Sequence, residues 1–335
     1  MTCGRNKNGM GVCFSALAGA ALVVLCVAFA ASAGAASYPE RPIRVLVPFP
    51  AGGGTDNLAR IFLKYLSDAL GRNIVVDNRG GAGGNIGITA AARAAPDGYT
   101  LLITSGIFVV NPSLYKPPPF DPFKDFIPIC WITATPNVIV ARADSQIKSV
   151  ADLIAIARGK PDLLNYASSG SGTTSHLAME LLKLRAKINV THIPYSGAAP
   201  ALQSILSGAT HVATFGMGGA VVTYIGNGTL RGLVHTRPGR LAEFPNIPNM
   251  TEAGFPNSDS ENFNMLMAPA GTPQDIVSRL EKESIAIMGR PDVLELMRKG
   301  GYTVIGKGGS AARAHIAREV PMWKEVIDKA NVKAE

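Results

Sequence analysis

Residues 43–70 read IRVLVPFPAGGGTDNLARIFLKYLSDAL, and this stretch decides the fold class. Its first five residues are mostly apolar and β-branched, which predicts a buried strand. Apolar residues then recur at three- and four-residue spacing from Leu58 to Ala69, which predicts a helix capped by Thr55 or Asp56 and ended by Gly71. Three glycines, Gly52–Gly54, lie between them. A strand that enters a helix through such a loop is typical of an α/β fold.

The same order of elements returns in residues 163–186, LLNYASSGSGTTSHLAMELLKLRA. Further strands are predicted at 73–76, 99–103, 190–193, 211–215 and 230–235, and further helices at 85–95, 149–158, 198–207, 273–288, 291–299 and 310–330. Alternating strands and helices predict largely parallel sheets, here in two lobes. The Pro136-Asn137 pair and the segment 244–258 are candidate crossings between the lobes.

The first 37 residues have the composition of a secretory signal peptide. Arg5 and Lys7 precede an apolar run over residues 11–30, and small residues follow up to Ser37. We expect cleavage between Ala33 and Ser37 and export to the periplasm. A single transmembrane anchor is the alternative, because about 20 apolar residues can span a bilayer.

The leader also contains three of the four cysteines. The mature chain would keep Cys130 alone, so no internal disulfide can form. Cys130 lies in an apolar run, which favours a buried structural residue over a nucleophile.

Composition and motifs exclude several functional classes. Hydrophobic residues make up 47% of the chain and charged residues 17%, which argues against disorder. The net charge is +8, but Lys and Arg are scattered without the basic stripe of a nucleic-acid binder. No Walker-type phosphate loop, G-x-S-x-G elbow or H-E-x-x-H pair occurs. We therefore expect no nucleic-acid partner, cofactor, metal or catalytic residue.

Two small-residue loops are candidate anion sites. Ala51–Thr55 and Ser168–Thr174 each connect a predicted strand to the start of a helix. The first turn of a helix has unpaired N–H groups, and the helix dipole favours negative charge there. If the two lobes face each other, the loops can hold an anionic ligand from opposite sides. The alternative is that their glycines only permit tight turns.

Several long segments, in one order, resemble the Bug family of periplasmic solute-binding receptors of tripartite tricarboxylate transporters (TctC-like). The resemblance runs over nearly the whole mature chain and is carried by residues 47–56, 77–87, 95–102, 164–173, 192–201 and 266–273. It implies a two-lobe, type II periplasmic-binding-protein-like fold. Residues 38–141 and 259–335 would form lobe 1, residues 142–258 lobe 2, and the ligand cleft would lie between them.

The resemblance also implies a set of ligand-binding residues, in which backbone amides, small hydroxyls and ordered waters hold a carboxylate. Lobe 1 would contribute Phe49, Ala51, Gly52, Gly53, Thr55 and Ser105, and lobe 2 would contribute Ser168, Ser169, Gly170, Thr173, His176, Tyr195 and Phe215. His176 on its helix face is alternatively structural, and Tyr195 and Phe215 would be wall residues. Where the family often has Phe-Asp-Asn, this chain has Phe215-Gly216-Met217. The missing acid argues against an amino-acid ligand and favours an aromatic or longer carboxylate.

The resulting hypothesis is a monomeric periplasmic receptor that delivers a small organic carboxylate to the membrane subunits of a tripartite tricarboxylate-type transporter. A ligand sensor without a dedicated transporter is one alternative. An exported enzyme acting on small carboxylates is another, but it needs a nucleophile–base pair or a metal set that the sequence does not show. A purely structural envelope protein would show no ligand-induced change.

Overall fold

The computed structural model describes residues 1–2 and 38–334. The predicted signal peptide therefore lies outside the described residues, apart from its first two. No helix in the described part of the chain is long and apolar enough to cross a membrane.

Strands and helices alternate from Ile43 onward, as the sequence predicts. The strands among residues 38–334 are β1 Ile43–Val47, β2 Ile74–Asn78, β3 Thr100–Ser105, β4 Phe126–Arg142, β5 Asn165–Ser168, β6 Thr191–Pro194, β7 Val212–Gly216, β8 Leu230–His235, β9 Glu261–Pro269 and β10 Thr303–Gly308. The α-helices in the same range are α1 Gly54–Leu70, α2 Asn85–Ala92, α3 Ile107–Leu114, α4 Val150–Gly159, α5 Thr174–Ala186, α6 Ala198–Ser207, α7 Gly219–Gly226, α8 Gln274–Met288, α9 Pro291–Lys299 and α10 Gly309–Ala330. A short 3₁₀ turn, Ala82–Gly84, precedes α2.

Helix α1 shows how the local pattern becomes structure. Leu58, Phe62 and Leu66 are fully buried, and each side chain contributes roughly 1.5–3 kcal/mol by leaving water. Gly71 ends the helix in the left-handed conformation, with φ of 64°. The predicted caps, Thr55 and Asp56, were wrong, because the helix starts at Gly54 and Gly53 occupies the N-cap position.

The fold has two α/β lobes, which meet along strand β4. In lobe 1, β1 pairs in parallel with β2 and β3, and β9 joins β3 to β4 in antiparallel orientation. In lobe 2, β5 pairs in parallel with β6 and β7, while β4 pairs antiparallel with β7 and β8. The parallel arrangement thus holds for the outer strands of each lobe. The strands that cross between the lobes do not follow it. Strand β4 runs antiparallel to β7 when it enters lobe 2, and β9 runs antiparallel to β3 when the chain returns to lobe 1.

The crossing occurs at Pro136-Asn137, where the sequence predicts one. Strand β4 pairs with β9 up to Pro136 and with β7 from Asn137 onward. A second connection follows β8, and the two are joined by hydrogen bonds. The Asn137 N–H donates to Thr236 Oγ1, and the Thr236 N–H donates to the Asn137 carbonyl, both at 2.9 Å. Two adjacent connections of this kind can act as a hinge.

Helix α5 contacts the cores of both lobes. Its Leu177 and Leu181 join the lobe 1 core that contains Phe263 and Trp323. Its Met179 and Leu182 join the lobe 2 core. The start of α5 is therefore held at the boundary between the lobes.

Cys130 lies in β4 and is fully buried. Burial, with a smaller contribution from the charge of Glu281, raises the pKa of its thiol to about 12. A thiol of this kind is a structural residue, as the sequence predicts.

Candidate functional site

The first predicted loop leads from β1 to an uncapped helix start. No side chain caps α1, and helix geometry leaves the N–H groups of Gly54, Thr55 and Asp56 without intrahelical acceptors. Ala51 and Gly52 are exposed, whereas Gly53 and Thr55 are half-buried. The loop thus has N–H groups that an anion can reach.

A buried carboxylate holds this loop in place. Asp56 is 1% exposed and accepts hydrogen bonds from the Gly52 N–H at 2.8 Å, Arg60 Nε at 2.9 Å and Asn78 Nδ2 at 2.9 Å. Asn78 Nδ2 also donates to the carbonyl of Phe49. Burial raises the pKa of Asp56, but these hydrogen bonds outweigh it, so the pKa lies below its usual value. Asp56 is therefore an ionised scaffold residue.

Tyr302, the residue before β10, reaches the same loop. Its hydroxyl donates to the carbonyl of Gly54 at 2.7 Å. This hydrogen bond connects the C-terminal part of lobe 1 to the first residue of α1.

The second predicted loop leads from β5 to α5. Thr173 is the N-cap, and its Oγ1 accepts from the His176 N–H at 3.3 Å and donates to the Gly170 carbonyl at 2.7 Å. The Ser169 N–H donates to Ser175 Oγ. With His176 capped, the N–H groups of Thr174 and Ser175 are the ones left without intrahelical acceptors.

Two stacked histidines form hydrogen bonds with residues of this loop. The rings of His176 and His192 lie 3.9 Å apart and nearly parallel. His176 Nδ1 accepts from the Gly172 N–H at 2.9 Å, and His192 Nε2 lies 2.7 Å from Ser168 Oγ. Burial, and secondarily the charge of Lys183, lowers the pKa of His176 to about 4. Neutral His176 thus orients the loop, which agrees with a structural role.

The Ser168–His192 pair has the separation of a nucleophile and its base, but the hydroxyl is inaccessible. Ser168 is fully buried, and its Oγ also accepts from the Gly170 N–H at 3.2 Å. Among residues 1–2 and 38–334, no group of three His, Cys, Asp or Glu side chains could hold a metal ion.

The second loop meets lobe 1 where β3 ends, at the same edge of the sheet from which the first loop leaves the parallel strand β1. Ser105 is buried, and the next residue, Gly106, lies against both lobes. A Cβ at Gly106 would lie 2.5 Å from Thr174 Cγ2 and 2.9 Å from Asn262 Oδ1. Only glycine fits this contact without displacement, so the start of α5 lies directly against the end of β3.

The two predicted wall residues pack in or against the apolar core of lobe 2. Phe215 is buried in the apolar core of lobe 2, and Tyr195 packs against the same core. The Tyr195 N–H donates to the carbonyl of Ser168 at 3.2 Å, so Tyr195 borders the second loop.

A cavity between the lobes lies next to the segment Phe215-Gly216-Met217, where this chain differs from the family pattern. It has a volume of about 720 Å³ and is lined by Met217, Gly218 and Gly219 of lobe 2, by Tyr302 and Leu294 of lobe 1, and by Arg237, Arg298 and Phe244, among others. Tyr302 also donates a hydrogen bond to the Gly54 carbonyl. The Tyr302 side chain therefore lies between this cavity and the start of α1.

The sequence model of the TctC family, tripartite tricarboxylate transporter family receptor, matches residues 58–332. The chain belongs to this family. Solved structures agree. The periplasmic binding protein BugD is 34% identical, with a TM-score of 0.72 over 89% of this chain and 100% of that chain.

Two structures from Rhodopseudomonas palustris contain ligands. Rpa4515, solved with adipate, is 32% identical to this receptor, with a TM-score of 0.74 over 88% of this chain and 99% of that chain. MatC, solved with malate, is 29% identical, with a TM-score of 0.72 over 87% and 100% of the two chains. The two-lobe fold expected from the resemblance is therefore confirmed.

Sequence reasoning did not include four residues that contact the two loops or the end of β3: Asp56, Asn78, Asn262 and Tyr302. Asn78 had a usable signal, because it is a polar residue at the carboxyl end of a strand next to β1. Asn262 and Tyr302 had none, because the segments that contain them contact the loops only through tertiary structure.

Proposed function

We propose that this protein is a periplasmic receptor that captures a small organic carboxylate between its lobes and delivers it to a tripartite tricarboxylate-type transporter. The observation that carries the proposal is that the start of α5, from lobe 2, contacts Gly106 after β3, at the edge of the lobe 1 sheet where the neighbouring parallel strand β1 leads into α1. Family membership and the dicarboxylates present in Rpa4515 and MatC support it. The predicted signal peptide supports export.

The binding step would use backbone dipoles. A carboxylate between the loops would accept hydrogen bonds from the first-turn N–H groups of α1 and α5, and both helix dipoles would favour its charge. Because the two helices belong to different lobes, such a ligand would favour the closed arrangement about the hinge at Asn137 and Thr236.

The predicted ligand-binding set is retained in this proposal, with roles that depend on position. Exposed or half-buried residues of the two loops would contact the ligand: Ala51, Gly52, Gly53, Thr55, Ser169, Gly170 and Thr173. Ser168, His176 and Phe215 would act by shaping the site, since their side chains are buried. The division into lobe 1, residues 38–141 and 259–335, and lobe 2, residues 142–258, stays a prediction. We infer a binding protein without catalytic activity, acting as a monomer.

The ligand would have an apolar portion. Gly216, Gly218 and Gly219 have no side chains, and Met217 lines the cavity between the lobes. A carboxylate held at the loops could place an aromatic ring or a longer chain toward this cavity, whose volume is in the range of small-molecule sites.

A thermal-shift panel tests the proposal. The purified protein is melted with malate, adipate, citrate and benzoate, and with neutral sugars and amines as comparison. A carboxylate at 100 times its Kd should add about 2.7 kcal/mol to the free energy of unfolding. Stabilisation by sugars or amines with none by any carboxylate would contradict the proposal.

Gly53→Asp tests the location. It places a negative charge at the start of α1, and the φ of −73° accommodates a side chain, so carboxylate affinity should fall. Gly226→Asp is the matched control, because a side chain there meets no atom within 4 Å. Equal affinity in both variants would argue against the first loop as the site.

A further inference from the structure

Asn262 in β9 has a fixed amide orientation at the point where the lobes meet. The Gly106 N–H donates to Asn262 Oδ1 at 3.0 Å. Because an N–H must bond to the carbonyl oxygen of the amide, Nδ2 points to the other side. Asn262 is half-buried, and among residues 38–334 no hydrogen bond engages its Nδ2. Its two amide protons are therefore available.

Thr135 lies beside it. Thr135 and Asn262 are opposite residues of the antiparallel β4–β9 pair, and the Thr135 hydroxyl also has no partner within the described range. On the lobe 2 side, a Cβ at Gly216 would lie 3.8 Å from Thr135 Cγ2. The two side chains thus lie where Gly216 and the start of α5 approach lobe 1.

Unpaired polar atoms continue along this face of the sheet. Asn137 is 1% exposed and Thr214 fully buried, and Asn137 Oδ1, Asn137 Nδ2 and Thr214 Oγ1 have no partner among the described residues. Asn137 follows Thr135 by two residues in β4, so both project from the same face. Buried polar atoms are normally hydrogen-bonded, so this cluster indicates a place where a ligand or ordered water completes the protein.

We propose that Asn262 and Thr135 are ligand-contacting residues, and that Asn262 Nδ2 and Thr135 Oγ1 donate hydrogen bonds to a carboxylate oxygen of the ligand. The proposal rests on the proposed function. None of these side chains carries a formal charge. Asn262 and Thr135 would thus bind the carboxylate through neutral donors, in addition to the N–H groups at the starts of α1 and α5.

Asn262→Asp tests this by exchanging one atom type. The variant keeps an oxygen to accept the Gly106 N–H but replaces the Nδ2 donor with a carboxylate oxygen. Two negative charges within hydrogen-bond distance repel, so the Kd for a carboxylate should rise about 100-fold or more. Asn227→Asp is the matched control, since Asn227 Oδ1 also accepts a backbone N–H, that of Thr229 at 3.1 Å. Its Kd should stay within about twofold of wild type, because Asn227 is exposed at the C-terminal end of α7, where water screens a charge.

Thr135→Val gives an independent measurement if Asn262→Asp does not fold. It removes one hydrogen bond to a charged group at constant shape, so the Kd should rise about tenfold. The probes are malate, adipate and benzoate, measured by calorimetry on all variants. A wild type that binds a probe, together with folded variants that bind it equally well, would overturn this inference and leave the proposed function intact. A wild type that binds none of them would overturn the proposed function itself.

Discussion

Replacement of Gly106 by alanine should open the contact between the lobes. The backbone at Gly106 has φ of −52° and ψ of −20°, which alanine adopts freely, so the backbone change alone would stabilise the protein by about 0.4–1 kcal/mol. The new Cβ would lie 2.5 Å from Thr174 Cγ2 and 2.9 Å from Asn262 Oδ1. Overpacking of this kind costs about 1–3 kcal/mol. The net expectation is a loss of up to about 2.5 kcal/mol in the free energy of unfolding.

The assay combines urea unfolding with a carboxylate titration. Gly159→Ala is the matched control, since a Cβ there meets nothing within 4 Å and should give only the stabilising backbone effect. The new Cβ would displace Asn262 and so remove the proposed hydrogen bond from its Nδ2 to the ligand. Loss of one hydrogen bond to a charged group should weaken the binding of adipate or malate about tenfold or more. If Gly106→Ala stabilises the protein as Gly159→Ala does and binds its ligand as wild type does, the reasoning about this contact is wrong.

Two further variants test the supports of the loops. Burial lowers the pKa of His176 from 6.5 to about 4, so the unfolded chain binds this proton more readily and stability falls as the pH drops below 6.5. The variant His176→Asn keeps an acceptor for the Gly172 N–H but does not titrate. Between pH 7.5 and pH 5, its free energy of unfolding in urea should therefore fall by about 2 kcal/mol less than that of wild type. Equal decreases in both proteins would contradict the role of His176. Asp56→Asn should lower the free energy of unfolding by about 1–3 kcal/mol, because a buried acceptor of three hydrogen bonds loses its charge. It should also weaken carboxylate binding, and unchanged values in both measurements would show that the Asp56 hydrogen bonds do not hold the loop.

Local sequence patterns predict much of this fold. The strand Ile43–Val47 and the helices Ala198–Ser207 and Pro291–Lys299 have the predicted bounds. Ser149 caps α4 as expected, with its side chain accepting from the Asp152 N–H. These elements have strong periodicity and clear caps or glycine ends, so short-range physics determines them.

The elements that the sequence did not predict have conflicting local signals. Strand β4 contains Pro128 and Pro136, and proline removes a donor from a strand. Helix α3 contains Pro112, and α7 begins within a run of glycines. Tertiary pairing overrides these preferences, which is also why the antiparallel pairing of β4 with β9 could not be predicted.

The two candidate anion loops were identified from local pattern, but the residues that hold them in place were not. The hydrogen bond from Gly106 to Asn262 joins residues 156 positions apart, and that from Tyr302 to Gly54 joins residues 248 apart. Neither segment has a motif that indicates its partner. Sequence reasoning therefore finds where N–H groups become available, and the structure is needed to find the side chains that surround them.

A crystal structure of the protein grown with a saturating carboxylate from the panel is the most direct test of the central claim. The account predicts density for the carboxylate between the first turn of α1 and the first turn of α5, within hydrogen-bond distance of Asn262 Nδ2. A ligand that saturates binding in solution but lies only in the cavity of about 720 Å³, or elsewhere on the surface, with neither helix start in contact, would contradict it.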